Sequence, residues 1–373
     1  MTCVFWGAVA LIGYTYVGYP LWLWMRCHLR PMPVLSGHLQ PFVSIVMVVR
    51  NEERVLERKM ENLLGLDYPA DQIEIIVVSD GSTDGTEAIL RKCARRPNVH
   101  AVLNQLSRGK ASGLNDAFHL VQGEIVIFTD ARQQIESGGL KVLLSNFADP
   151  QVGCVSGELM LGDSSAGEKN QGMGLYWRIE KIVRELESAS GSVVGATGAL
   201  YGVRSELLSP VPPETLLDDV LIPMLVVKAG KRVIFEPRAR AWDVSDLGTD
   251  REFARKVRTL SGNYQLLQLL PWLWSGANPI RFEFISHKIL RLLVPFALVA
   301  ALLASAWLPQ PLYRGVFFVQ LAFYGLSLIG MARVKMGPVA RAADAAFTFV
   351  VLNTAAMVAF ANFVTRRKVA WTR

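Results

Sequence analysis

Several acidic residues in this chain stand where a fold could bring them together. Asp80 follows the apolar run IEIIVVS (73–79) and opens the turn DGSTDGT. Asp130 ends the run EIVIFTD (124–130), and Asn51 and Glu52 follow the run FVSIVMVV (42–49). Ligands of open α/β sheets bind beyond the carboxyl ends of the strands, so polar residues at three strand ends could converge on one crevice. Lys110, in RGKASGLNDA, stands at the start of a helical pattern. There a cation and a helix N-terminus together attract an anion such as a diphosphate; a solvated surface lysine is the alternative. Asp218 and Asp219 are adjacent carboxylates just before the helical run 220–229. One can serve as a general base whose pKa its neighbour raises, or the pair can cap the helix. Asp84, in the turn after Asp80, reads as a helix cap.

These residues need elements to hold them. Strand and helix patterns alternate: strands at 42–49, 73–79, 99–103 and 124–130, with helices at 52–66, 84–95 and 110–121. The strands are continuous apolar runs, which fits a mostly parallel sheet covered on both faces. The expected fold is a doubly wound α/β domain over 42–250. Residues 26–41, containing the Pro-rich PMPVLSGHLQP, read as a linker.

Hydrophobic residues make up 51% of the 373 and charged residues only 19%, with a mean hydropathy of +0.28. Both values lie on the membrane side of the soluble average. Residues 1–25 carry no charge and include six Trp and Tyr residues, which suits a membrane span with interfacial aromatics. Arg26 and Arg30 follow the run rather than precede it, which favours a retained anchor over a cleaved signal. Uncharged runs at 292–313, 315–332 and 345–365 are each about a bilayer thick. The region 289–373 is therefore expected to hold about three membrane helices. Between them and the domain, 251–288 mixes basic residues with Leu, Trp and Tyr, as an interfacial amphipathic helix does.

After residue 250 the chain carries 15 Lys/Arg and 3 Asp/Glu, while the net charge of the whole is only +7. The basic half is the membrane half. This suits anionic membrane lipids and, with no accompanying motif, no nucleic acid. The basic residues after the first span place the domain in the cytoplasm and the N-terminus outside. Three further crossings would then leave Arg366, Arg367 and Lys368 outside, against the positive-inside tendency, so one late run is expected to be interfacial or re-entrant. Cys3, Cys27, Cys93 and Cys154 lack CxxC or metal spacing and imply neither a disulfide framework nor zinc.

Five segments occur in one order: SIVMVVRNEE, DYPADQIEIIVVSDGSTDGT, SRGKASGLNDAF, GEIVIFTDA and TLLDDVLIPMLVVKAGKRVIFEPRARAWD. Together they resemble the family 2 glycosyltransferases of GT-A fold, and most nearly the membrane-bound members related to hyaluronan, chitin and cellulose synthases. The resemblance covers about 42–262. It implies inverting transfer from a nucleotide-sugar, with Asn51, Glu52, Asp80 and Lys110 lining the donor pocket. It makes Asp130 the first acid of a DxD motif that holds Mg2+ or Mn2+; here the second acid is Arg132, which could pair with phosphate instead. Asp219 takes the place of the base, with Asp218 beside it. Gly198 and Ala199 lie in the acceptor-facing loop GATGALYGVR, whose small residues admit close approach. Tyr176 and Trp177 could stack on a sugar or pack in the core. Arg255 and Arg258 occupy the family's Q/RxxRW position and would contact the pyrophosphate. Thr259 replaces its tryptophan, which counts against processive synthesis.

The reading that results is a multi-pass enzyme of a bacterial inner membrane with a cytoplasmic catalytic domain. It would move sugar from a UDP-sugar to a lipid or glycan acceptor in exopolysaccharide, glycolipid or envelope synthesis, with envelope-complex partners possible. The alternatives are a polyprenyl-phosphate glycosyltransferase, and a non-catalytic nucleotide-sugar sensor or scaffold subunit, to which Arg132 lends support.

Overall fold

The computed structural model of the chain describes residues 1–162, 175–243, 249–332 and 337–367. It begins with a long helix, α1 (Thr2–Leu29). The domain follows in the order β1 (Val43–Val49), α2 (Glu53–Leu64), β2 (Ile73–Asp80), α3 (Thr86–Cys93), β3 (Val99–Asn104), α4 (Lys110–Phe118), β4 (Ile125–Phe128), β5 (Gln134–Ile135), α5 (Gly139–Ser145) and β6 (Val152–Leu161). It is completed by α6 (Leu175–Ser190), β7 (Tyr201–Arg204), α7 (Asp218–Lys228) and β8 (Arg232–Asp243). Then come α8 (Thr249–Leu269), α9 (Arg281–Trp307), α10 (Pro311–Met331) and α11 (Pro338–Val364).

The eight strands form one sheet in the order β3-β2-β1-β4-β7-β6-β8-β5. β3, β2, β1 and β4 are parallel, as their apolar runs imply. Beyond β4 the sheet is mixed: β7 is antiparallel to both neighbours, β6 and β8 are parallel, and β5 is antiparallel to β8. Every residue of β1 and β2 is buried. Their period of two sends Ile45, Met47, Ile75 and Val77 against Leu56, Met60 and Leu63 of α2. It sends Val46, Val48, Ile76 and Val78 against Ala111 and Leu114 of α4 and Leu221 of α7. Two covered faces explain why these strands read as unbroken hydrophobic runs.

Four helices, α1, α9, α10 and α11, are long and apolar enough to cross a membrane. α1 runs antiparallel to α9: Ala8 packs on Ala297 and Ala301, and Phe5 on Ala304 and on Tyr313 of α10. α9 starts at Arg281, eleven residues before the uncharged run expected from 292. Its early charges are partnered rather than solvated. His287 places one ring nitrogen 2.7 Å from Glu187 and the other 3.0 Å from Glu180. Glu187 also accepts from Tyr19 of α1 at 2.6 Å, Arg291 pairs with Glu180, and Arg26 pairs with Glu283. Burial works to raise the Glu180 carboxyl, but Arg291 and His287 outweigh it and hold it well below the usual range. The chain between α1 and β1 is tied down as well: Arg232 donates to the Met32 carbonyl at 2.8 Å and to that of Ser188 at 3.0 Å.

Glu187 is 1% exposed, and removing one partner of a buried charge cluster costs about 3–5 kcal/mol. Glu187→Ala is therefore expected to lower the Tm of the detergent-solubilised protein by several degrees. An unchanged transition, read by intrinsic fluorescence, would show that this cluster does not join membrane and domain.

Candidate active site

The loops after β1 and β2 are stitched to one another. Asn51, at φ +53°, accepts the Thr83 N–H on its Oδ1 at 2.8 Å. The Glu52 N–H is bound by Thr86 Oγ1 at 2.8 Å. Asp84 accepts the N–H groups of Thr86 and Glu53 at 3.0 and 3.2 Å, which fits its reading as a cap. Asp80 is fully buried, and its carboxylate takes the Ser107 hydroxyl at 2.7 Å and the Arg108 and Gly109 N–H groups at 2.7 and 2.9 Å. Gly81, at φ +64°, lets that segment close in: a Cβ there would lie 2.5 Å from the Ser107 nitrogen. Asp80, expected to face a ligand, thus spends its oxygens holding the loop that leads into α4.

That loop delivers Lys110. Its ammonium hydrogen-bonds Asp130 Oδ1 at 3.0 Å and lies 3.1 Å from Asp218 Oδ2, off the direction of a hydrogen bond. Burial would discharge it, but Asp130, Asp218 and Asp219 more than compensate and raise its pKa. Gly198 sits on the far side of the cluster. A Cβ on it would lie 3.4 Å from Asp130 Oδ2 and 3.5 Å from Asp219 Oδ2. The missing side chain keeps a space open between the two carboxylates. Asp219 titrates high, at about 6, first because it is shielded from water and then because Asp218 is negative; Lys110 and Lys288 pull it back.

Among the described residues, no three His, Cys, Asp or Glu side chains form a cage for a metal ion. The donor set suits a cation that is only half held by protein. The Asp130 side chain is 43% exposed, and Mg2+ is commonly bound by one or two carboxylates with substrate phosphates completing the shell. Arg132 is half-buried in the turn beyond Asp130 and makes no hydrogen bond or ion pair with the described residues.

Three supports were not evident from sequence. Lys59, only 1% exposed, donates to Thr129 Oγ1 at 2.8 Å and to the Gln133 carbonyl at 2.6 Å, clamping the turn that carries Asp130. Burial brings its pKa down to about 7, against the pull of Asp130. Thr129 passes the tie on to the Ala199 carbonyl at 2.8 Å. The available signal was position: Lys59 lies on the same helical stripe as Leu56 and Leu63. Gln265 of α8 binds the Leu216 N–H at 2.9 Å and the Glu214 carbonyl at 2.6 Å, fixing the segment before Asp218. Arg184 of α6 and the Thr197 N–H meet on Ser156 Oγ at 2.9 and 3.1 Å, behind Gly198.

Arg255 and Arg258 share a helical stripe with Gly262 and Gln265. A Cβ on Gly262 would lie 2.5 Å from Leu217 Cγ, so Gly262 on that stripe faces the segment before Asp218. Trp177 is 37% exposed near the start of α6. The side chain of Tyr176 lies outside the described residues.

Residues 44–209 match the family model described as Glycosyl transferase family 2. A β-monoglucosyldiacylglycerol synthase of Nostoc sp. is 29% identical over 225 residues, covering 58% of this chain and 48% of its own. A poly-β-1,6-N-acetyl-D-glucosamine synthase of Staphylococcus epidermidis is 23% identical over 243 residues, 64% of this chain and 58% of its own. The chain thus spans about half the length of the curated relatives it matches. Among solved structures, the mannosyltransferase PcManGT from Pyrobaculum calidifontis, in complex with GDP-Man and Mn2+, superposes with a TM-score of 0.75 at 23% identity, covering 97% of this chain and 99% of that one. The fold is the GT-A α/β fold, with apolar helices flanking the domain.

The Asp219 carboxyl is expected to titrate near pH 6. Asp218→Asn removes a repelling charge and should lower that value, whereas Lys110→Gln removes an attracting one and should raise it. Infrared difference titration of the carboxyl band, assigned with Asp219→Asn, reads both shifts; shifts of the opposite sign would break the assignment.

Proposed function

With a glycosyl transferase family 2 domain at residues 44–209, we propose that this protein is a membrane-embedded inverting glycosyltransferase. It moves a sugar from a nucleoside-diphosphate sugar to a hydroxyl presented at the membrane face. The observation that carries the reading is the pair Asp130 and Asp219, both beside Gly198, the one half-exposed and the other shielded with a carboxyl near 6. In solution both would be ordinary acids, but here their environments divide the work of leaving-group and acceptor activation.

The acceptor hydroxyl enters over Gly198 and hydrogen-bonds Asp219. As its oxygen bonds to the anomeric carbon, its proton passes to Asp219. The bond from that carbon to the diphosphate oxygen breaks with its electron pair, and attack from the opposite face inverts the configuration. Asp130 would hold a divalent cation, Mg2+ or Mn2+, which would supply electrostatic stabilisation of the departing charge. Lys110, Arg132, Arg255 and Arg258 are the cations proposed to share that charge. Asn51, Glu52 and Asp80 shape the nucleotide end through the loops they tie together.

UDP-sugar is the proposed donor class; the GDP-Man and Mn2+ named for the mannosyltransferase support a nucleotide-sugar with a divalent cation. The named relatives are synthases of a glycolipid and of an exopolysaccharide. They support a lipid or glycan acceptor; the placement we propose is the envelope of a bacterium, with the domain on the cytoplasmic side of the inner membrane and envelope proteins as partners.

Nucleotide release by detergent-solubilised protein tests this. UDP-glucose, UDP-GlcNAc, UDP-glucuronate, UDP-galactose and GDP-mannose would be offered with Mg2+, Mn2+ or EDTA and a membrane-lipid extract. One donor should be preferred, EDTA should suppress release, and Asp219→Asn should reduce it by about 10²–10⁴-fold. Binding of nucleotide without release from any donor would leave a sensor or scaffold instead of an enzyme. With an active donor found, Gly198→Val should cut turnover by about 10²-fold by displacing the acceptor, with Tm unchanged. Full turnover in that variant would move the acceptor away from Gly198.

A further inference from the structure

We propose that α11 does not cross the bilayer but lies along the leaflet on the side of the catalytic domain. The chain then crosses three times, through α1, α9 and α10, and its C-terminus returns to the catalytic side. The inference rests on membrane embedding alone and is independent of the reaction.

Two levels in the helical bundle are fixed by contacts. The near level is where α9 meets the domain, through His287 and Arg291 on Glu180 and Glu187. The far level is the other end of α9, where Ala304 packs with Phe5 and with Tyr313 of α10. α10 starts at that far level and runs back for 21 residues, about 30 Å at 1.5 Å each. Its returning half meets α11: the rings of Phe323 and Phe349 are 5.6 Å apart, and Gly330 abuts the Ala343 carbonyl. α11 therefore begins at the near level.

It also ends there. α11 has 27 residues, about 40 Å of helix, and upright it would bring its last turns beside Ala304 and Tyr313. Instead Ala359 packs with Tyr264 and Leu292. Phe360 and Phe363 stand 5.8 and 5.3 Å from the Tyr264 ring. Tyr264 belongs to α8 and adjoins Gln265, which holds the loop before Asp218. The middle of α11 is no higher: Phe349 is 5.6 Å from Tyr16, two residues along from Tyr14, whose hydroxyl bonds Ser286. Beginning, middle and end all touch the near level, so the helix lies crosswise.

Its surroundings fit a lipid leaflet. Val339, Met357, Val358, Phe360 and Val364 are exposed on α11, and Leu21, Trp24 and Met25 are exposed on α1 beyond Tyr19. Arg341 near one end and Arg366 and Arg367 at the other are exposed too. In this placement all three stand beside the anionic headgroups of the catalytic side, as the positive-inside tendency asks. A fourth crossing would strand Arg366 and Arg367 on the opposite face. The leaflet that holds α11 thereby supports α8, and α8 supports the segment that leads to Asp218 and Asp219.

Cysteine labelling in the full-length protein tests the topology. With Cys27, Cys93 and Cys154 replaced by serine, Cys3 alone marks the N-terminus; with Cys3 replaced as well, Glu206→Cys marks the domain and, in a separate variant, Thr365→Cys marks the end of α11. A membrane-impermeant maleimide is applied to sealed right-side-out and inverted vesicles. Thr365→Cys should label from the same face as Glu206→Cys, with at least a tenfold preference over the other face. Labelling of Thr365→Cys from the face opposite Glu206→Cys overturns the proposal. Fusions of a fluorescent protein and of alkaline phosphatase after Arg373, with every cysteine native, give a second readout. Fluorescence without phosphatase activity supports the near-side terminus; phosphatase activity without fluorescence overturns it.

Discussion

Three carboxylates crowded at one site repel one another unless a cation or a proton offsets them, and Lys110 is the cation this chain brings to them. Two like charges 4 Å apart repel by about 4 kcal/mol in surroundings of intermediate polarity. Asp130, Asp218 and Asp219 come from the end of β4 and the start of α7, elements with no other reason to hold negative charge together. Lys110 reaches Asp130 and Asp218 at 3.0 and 3.1 Å. It does so from a helix N-terminus, a position that disfavours a cation on its own account. The cost is offset by the two carboxylates, and the position is secured by Asp80, whose oxygens bind the 107–109 segment. The turn after β2 is therefore neither a plain α/β connection nor a bare ligand loop: its first residue is the anchor for the lysine that neutralises the site.

The same economy of shared supports runs from the site into the membrane. α6 carries Glu180, Arg184 and Glu187 on one side. Arg184 steadies the Gly198 loop through Ser156, while the two glutamates clasp α9 and α1. One helix thus fixes both the Gly198 loop and the membrane helices. Removing the membrane region would leave Glu180 and Glu187 without the partners that justify burying them.

Much of this was legible in the sequence, for identifiable reasons. The parallel half of the sheet announced itself because strands covered on both faces show as apolar runs, and Asp130 and the Asp218-Asp219 pair were found because they sit at element ends. What escaped was long-range. β7 is four residues long and reveals its antiparallel pairing only through β4 and β6. Lys59 looked like any helical lysine until burial under Thr129 and Gln133 gave it a task. Hydropathy began the span near 292 because Glu283, His287, Lys288 and Arg291 are charged or polar. The helix begins at Arg281 because several of those groups find partners a hundred or more residues away.

Lys288 links the site to the membrane helices. It belongs to α9, yet its charge is among those that hold Asp219 down, against the upward push of burial and Asp218. A base that abstracts a proton near neutral pH works best when its pKa lies close to the operating pH. Here one of the charges that sets this value is delivered by a membrane helix, and the clasp of His287 and Arg291 on α6 fixes where that helix stands. The domain alone would keep Asp219, Asp218 and Lys110 but would lose Lys288, so one of the charges acting on the Asp219 carboxyl depends on the helix that joins domain and bilayer.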